Sequence, residues 1–171
     1  LSAFQKSIRG SDENAAIFYL ARILEGGDLL SVCRRLLVIA AEDVGLAYPM
    51  AIVITKACVD AALQVGLPEA KLPLAEATIL LATAPKSNSA MKAYHAALEE
   101  MERGRGAEVP NHLRDNHAPN AKGGYLYPHD YPNHYVRQQY LPDDLVGKKF
   151  YAYGDNKTEK AAEEYQKKIK G

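Results

Sequence analysis

Tryptophan is absent from these 171 residues, cysteine occurs twice, and neither sign of charge is in excess: 21 lysines and arginines face 21 aspartates and glutamates. Each shortage excludes something. Cys33 and Cys58 have no CxxC spacing and lie inside apolar helical patterns, so they read as buried thiols of a reducing compartment rather than as a disulfide framework. The neutral balance gives no electrostatic reason to expect DNA, RNA or an acidic membrane as a direct partner. Residues 1–104 carry 10 basic and 12 acidic side chains and residues 105–171 carry 11 and 9, a drift too slight for a nucleic-acid footprint. No apolar run approaches the roughly 18 residues of a membrane span, and no secretory signal is present, which fits a cytosolic location. The chain opens at Leu1 in mid-helical vocabulary and reads as a piece of a longer protein.

A nucleotide-binding P-loop is also missing. It needs Gly-x-x-x-x-Gly-Lys-Ser/Thr so that backbone N–H groups can cradle phosphates. The one Gly-Lys here, Gly147-Lys148, has Pro142 five residues before it and Lys149 after it, with no strand leading in.

What is present is helical. Residues 1–10 read as a link from preceding chain, and residues 11–104 as five helices with clear stops. Ser11 or Asp12 can cap the first, whose stripe is Ile17, Leu20, Ala21 and Leu24, and Gly26-Gly27 ends it. Asp28 can cap the second, with Leu29, Val32, Cys33, Leu36 and Ala40 at helical spacing, Arg34, Arg35, Glu42 and Asp43 on other faces, and Gly45 as its close. The third begins at Pro49 and carries one narrow polar line, Lys56, Asp60 and Gln64, so most of its surface should be covered. The fourth, from Pro73 to Ala84, is apolar nearly all round and belongs at the centre of a bundle. Ser87 or Ser89 can cap the fifth, which points Met91, Tyr94, Leu98 and Met101 inward and runs to Gly104. Short connections imply antiparallel neighbours, so the expected fold is an all-α compact bundle.

Residues 105–155 change vocabulary to proline, glycine, asparagine, histidine and tyrosine without period. Seven of the eleven tyrosines fall between Tyr125 and Tyr153. Disordered segments are poor in aromatics, so this stretch reads as an irregular but ordered strap lying against the domain or a neighbouring chain. A last, weakly amphipathic helix, Thr158 to Lys170 within residues 156–171, uses Ala161, Tyr165 and Ile169, with supporting pairs Glu163–Lys167 and Glu164–Lys168.

The candidate reactive groups assemble into nothing catalytic. Zinc wants three or four ligands at set spacings, and His95, His112, His117, His129 and His134 match none, so no metal is expected. His129-Asp130 resembles the metal phosphohydrolase pair, but the helices lack the further histidines and aspartates that chemistry needs. Glu99, Glu100 and Glu102 lie opposite Met91, Leu98 and Met101 and read as a solvated face. Lys86, in a loop at a helix end, is better placed for binding. With no nucleophile, base and orienter in sight, enzymatic activity and bound cofactors are not expected of this chain.

Four segments carry a resemblance. Phe4-Gln5-Lys6-Ser7-Ile8-Arg9-Gly10-Ser11-Asp12, Glu42-Asp43-Val44-Gly45-Leu46-Ala47, Ala84-Pro85-Lys86-Ser87-Asn88-Ser89-Ala90 and the strap from Tyr127-Pro128-His129-Asp130-Tyr131 to Gln139-Tyr140-Leu141-Pro142 resemble the C-terminal region of the RarA/MgsA proteins. These are bacterial replication-associated recombination AAA+ ATPases, with the eukaryotic Werner-helicase-interacting protein as a relative. The resemblance implies a fold like the clamp-loader collar domain, homotetramer assembly, and ATP and Mg held by an AAA+ module outside this chain. It implies a cytoplasmic, nucleoid-associated protein acting at stalled forks on DNA and with single-strand DNA-binding protein. Between Arg114 and Gly124 the chain looks shorter than relatives, and the tail at Asn156-Lys157-Thr158-Glu159 looks like the Gram-positive variant.

The residues expected to make contacts are Lys6, Arg9, Lys86, Ser87 and Asn88 in the helical part. In the strap they are Arg114, Tyr127, His129, Asp130, Tyr131, Arg137, Gln139 and Tyr140. Two readings follow: an assembly domain holding copies together, or a docking module in which Lys6, Arg9, Lys86, Arg114 and Arg137 interleave with tyrosines that stack single-stranded bases or meet a partner protein.

Overall fold

A computed structural model of the chain describes residues 1–114 and 124–171. Its helices are α1 (Ser2–Arg9), α2 (Glu13–Glu25), α3 (Leu29–Ile39), α4 (Met50–Val65), α5 (Lys71–Thr83), α6 (Ser89–Glu102) and α7 (Lys157–Lys170). No strand occurs among the described residues, so the fold is all-α. No described helix is long and apolar enough to cross a membrane.

The helix boundaries follow local chemistry. Asp12 accepts a hydrogen bond from the Ala15 N–H and Asp28 one from the Ser31 N–H, each satisfying a donor that the first turn leaves without an intrahelical partner. Pro49 stands at the cap of α4. Pro73 lies in the first turn of α5, where its missing N–H costs nothing. Residues 1–10, expected to be a link, instead form α1, because Phe4 and Ile8 meet on one face and are fully buried against the bundle.

The described chain divides into two compact units, Leu1–Met91 with Tyr153–Lys160, and Lys92–Ala152 with Ala161–Gly171. In the first, α5 is the central helix and packs against α1, α2, α3 and α4. Its Leu74, Ala77, Thr78, Leu81 and Ala82 are buried in one core with Phe4, Leu20, Val32, Leu36, Ile39 and Val59. Helix α4 packs on α3 and α5 through Ala51, Thr55, Cys58, Val59 and Ala62. Both cysteines are buried free thiols.

The second unit is mostly irregular chain with short 3₁₀ turns at Asn111–Leu113, Pro128–Asp130, Pro132–His134 and Asp143–Leu145. Its part of α6 departs from expectation: Tyr94 and Met101 are each 69% exposed, while Glu100 is only 7% exposed. Arg103, Arg105 and Lys148 lie 3.6, 3.0 and 3.7 Å from the Glu100 carboxylate, so this charge is buried among cations rather than solvated. Tyr125, Tyr127 and Tyr140 keep about half their surface in solvent, and Tyr131, Tyr135 and Tyr151 are half-buried.

Candidate functional site

The densest polar arrangement lies in the first unit, where α3 stops being α-helical. After Ile39 the chain makes a π-helical turn, Ala40–Val44, and such one-turn expansions reset which way the following side chains point. Here the turn brings Glu42 and Asp43 to α1. Arg9 donates from Nε to Asp43 Oδ1 at 2.7 Å and from Nη2 to Glu42 Oε2 at 3.2 Å. Gln5 donates from Nε2 to both carboxylates, at 3.2 Å to Asp43 Oδ2, and its own carbonyl accepts from Arg35 Nη1 at 2.8 Å. Asp43 is 5% exposed, so its charge is stabilised by these donors rather than by water. The hydrogen bond and charge of Asp43 hold the Arg9 guanidinium above its usual range, keeping it a cation.

A loop from Pro85 to Asn88 seals the other side. Gly45 sits at φ +47°, and a Cβ there would stand 3.1 Å from the Ser87 carbonyl, so only glycine combines this backbone with this approach. The Ser87 N–H donates to the Asp43 carbonyl at 2.8 Å. Lys86 turns back over the end of α5, donating from Nζ to the carbonyls of Ala82 and Ala84 and to Ser11 Oγ at 3.0, 2.5 and 3.1 Å. Burial lowers its pKa, with the Asp43 charge opposing. Arg9, Glu42, Asp43, Lys86, Ser87, Asn88 and Met91 line an open groove of about 460 Å³. Its carboxylates are already held by Arg9 and Gln5, and Lys86 serves backbone carbonyls, so the arrangement is a structural clamp with a zwitterionic floor.

Glu159, at the start of α7, completes the clamp. It is 1% exposed and accepts from Ser87 Oγ, Ser89 Oγ (2.7 Å), Gly154 N–H (2.9 Å) and Asn156 Nδ2 (2.8 Å). Asn156 Oδ1 in turn accepts from the Glu159 N–H at 2.8 Å, capping the first turn of α7. A Cβ at Gly154 would lie 2.5 Å from Glu159 Oε1.

Of the expected contact residues, the structure therefore brings together Arg9, Lys86, Ser87 and Asn88, while exposed Lys6 lines a shallow neighbouring groove with Arg9 and Arg35. Those of the strap are held by local contacts within the second unit. Arg114 is held by the Val109 carbonyl and Glu108. The Gln139 side chain donates to the Leu141 carbonyl and Asp143, and the Gln139 backbone carbonyl lies 2.6 Å from His112 Nε2. The Tyr140 hydroxyl accepts from Gln138. The Tyr127 ring lies 5.2 Å from that of His129, whose Nδ1 is 3.1 Å from the Nδ1 of His134. The Asp130 N–H donates to the Tyr127 carbonyl, and the Tyr131 carbonyl accepts from the His134 N–H. Asp130 and Arg137 are exposed. His117 and the segment expected to be short lie outside the described residues. Among the described residues, no group of three or more His, Cys, Asp or Glu is placed to hold a metal ion.

Sequence reasoning missed Gln5 and Glu159. Gln5 carries no signal of its own, whereas Asn156-x-x-Glu159 is a legible capping-box pattern.

The family model described as "MgsA AAA+ ATPase C terminal" matches residues 10–170. The chain is similar to Replication-associated recombination protein A of Bacillus subtilis (strain 168), 53% identical over 156 residues that cover 88% of this chain and 37% of that protein. Its namesake in Escherichia coli (strain K12) is 39% identical over 158 residues, 88% of this chain and 35% of that protein. ATPase WRNIP1 of Dictyostelium discoideum is 36% identical over 160 residues, 90% and 18% respectively. The chain thus spans between 18% and 37% of the length of these curated relatives. It belongs to the family of MgsA AAA+ ATPase C-terminal regions.

Proposed function

We propose that this chain is the assembly domain of an AAA+ ATPase that works in DNA replication, recombination and repair. It joins copies into a homotetramer and does no chemistry itself. ATP and Mg are held by the AAA+ module of the same protein, and DNA and single-strand DNA-binding protein are engaged by the whole assembly in the cytoplasm, at the nucleoid.

One observation carries the reading: the first unit leaves an apolar helix surface uncovered. On α4 and α5, Met50, Ile52, Val53, Leu63, Leu72 and Ile79 are between 43% and 65% exposed. Apolar surplus of this kind on adjacent elements marks an interface. The arginine–carboxylate clamp supports it by keeping the helices that carry this surface in fixed order.

The docking alternative is left with fewer residues. Of its five cations, Arg9, Lys86 and Arg114 make internal hydrogen bonds, which leaves the exposed Lys6 and Arg137. Light scattering on the chain over a concentration series tests the choice. Assembly predicts a mass that is a multiple of 18.8 kDa. A monomer at every concentration, with salt-dependent binding of single-stranded DNA, overturns it in favour of docking.

A further inference from the structure

The outward face of α4 is organised in a way its own helix does not require. Lys56 donates to Asp60 at 2.8 Å, four residues on, and the two side chains are 60% and 58% exposed. Lysine preceding the acid is the less favourable order for such a pair on an isolated helix. The pair lies midway along an outer surface whose only other polar side chain is the uncharged Gln64, flanked by Ile52 and Val53 on one side and Leu63 on the other, which are 43%, 55% and 46% exposed. Net charge on the face is zero.

This pattern is self-complementary. Laid antiparallel on a second α4, with a two-fold axis at the level of Cys58, Lys56 of each copy stands opposite Asp60 of the other. Val53 then stands opposite Leu63, and Ile52 opposite Gln64. A two-fold contact demands that whatever residue i meets, its partner meets i in return; Lys56 and Asp60 satisfy it with charge against opposite charge and Val53 and Leu63 with apolar against apolar, while Ile52 meets the uncharged Gln64. A parallel pairing in register, with the two-fold axis along the helices, would set Lys56 against Lys56.

We infer that α4 is a two-fold, antiparallel interface with α4 of a second copy of this chain, in which the Lys56–Asp60 pairs close across the axis. The inference rests on the assembly reading and specifies it: the assembly contains a two-fold axis, and α4 lies on it. Charge at the centre fixes register, while the apolar flanks supply the buried area.

Charge exchange tests this directly, read by sedimentation or light scattering on the chain. Lys56→Asp alone and Asp60→Lys alone each set like charges across the axis and should weaken self-association by about tenfold or more. The double exchange, Lys56→Asp with Asp60→Lys, should restore it to near the wild-type level. An equimolar mixture of the two single variants should associate where neither does alone, because an all-acidic face then meets an all-basic one. A second readout needs no charge change: Val53→Cys mixed with Leu63→Cys should form an intermolecular disulfide under mild oxidation that neither variant forms alone. A wild-type oligomer indifferent to all these changes leaves the assembly reading standing and removes this interface. A wild-type monomer removes both.

Discussion

Helices α4 and α5 are both built mainly from alanine and branched aliphatic side chains with few charges, and they meet different fates. Helix α5 touches four other helices and has only Leu72 and Ile79 among its large apolar side chains turned well out to solvent. Helix α4 is covered on one side by α3 and α5 and leaves Met50, Ile52, Val53, Leu63 and Val65 uncovered on the rest. Composition says that a helix is apolar. Its position in the bundle decides how much of that surface is already satisfied, and what is left over on α4 is the strongest statement this chain makes about other molecules.

The comparison breaks most visibly in α5. Leu81 is fully buried, so Leu81→Ala should cost about 2–5 kcal/mol in a urea or thermal melt. A cost under about 1 kcal/mol would mean that α5 is not central. The exit of α5 comes next. Glu159→Ala removes the acceptor shared by Ser87, Ser89, Gly154 and Asn156, and should cost about 1–3 kcal/mol by the same measurement. On the inner side of α4, Thr55 is fully buried and its hydroxyl has no hydrogen-bond partner among the described residues. Thr55→Val keeps the shape and removes the buried hydroxyl, so it should be neutral or stabilising by about 1 kcal/mol.

The smallest effect concerns pH. Burial pushes the thiols of Cys33 and Cys58 above the ordinary thiol range, and the Glu76 charge adds to the rise at Cys58. A folded-state value above the unfolded one favours the protonated thiol in the fold. That contribution is complete below the ordinary thiol value and is lost as pH rises through the folded values. Cys58→Ala should therefore flatten a slight alkaline loss of stability seen in the wild type, read as the shift in urea midpoint between neutral and alkaline pH.

Much of this was legible in the residues themselves. Asp12 and Asp28 announce their helices because an N-cap is a local event, readable within three residues. The same locality makes Asn156-x-x-Glu159 readable as a cap. What could not be read is how far Glu159 reaches, since Ser87 and Ser89 lie about seventy residues away and meet it only in the folded chain. Helix α1 was hidden for a related reason. Leu1 offers no side-chain cap, and Phe4 and Ile8 become a face only when the bundle supplies something to cover them. In α6 the spacing of Met91, Tyr94, Leu98 and Met101 suggested an inward stripe, yet Tyr94 and Met101 are exposed and Glu100 is buried. Three cations, one of them Lys148 from far along the chain, make its burial tolerable. The arginine–carboxylate clamp depends on a π-helical turn whose register shift no periodicity reveals.

The central claim is that the uncovered side of α4 is an assembly surface rather than part of the fold's own support. The most direct measurement is the solution mass of the chain beside that of Val53→Asp, with a melting curve for each. Val53 is 55% exposed, so the substitution should change folding stability by less than about 0.5 kcal/mol. The account predicts a multiple of 18.8 kDa for the wild type, and a shift toward 18.8 kDa for a variant that still melts as a folded protein. A wild-type chain that stays at 18.8 kDa at high concentration, or an oligomer of the same mass in both, would contradict it.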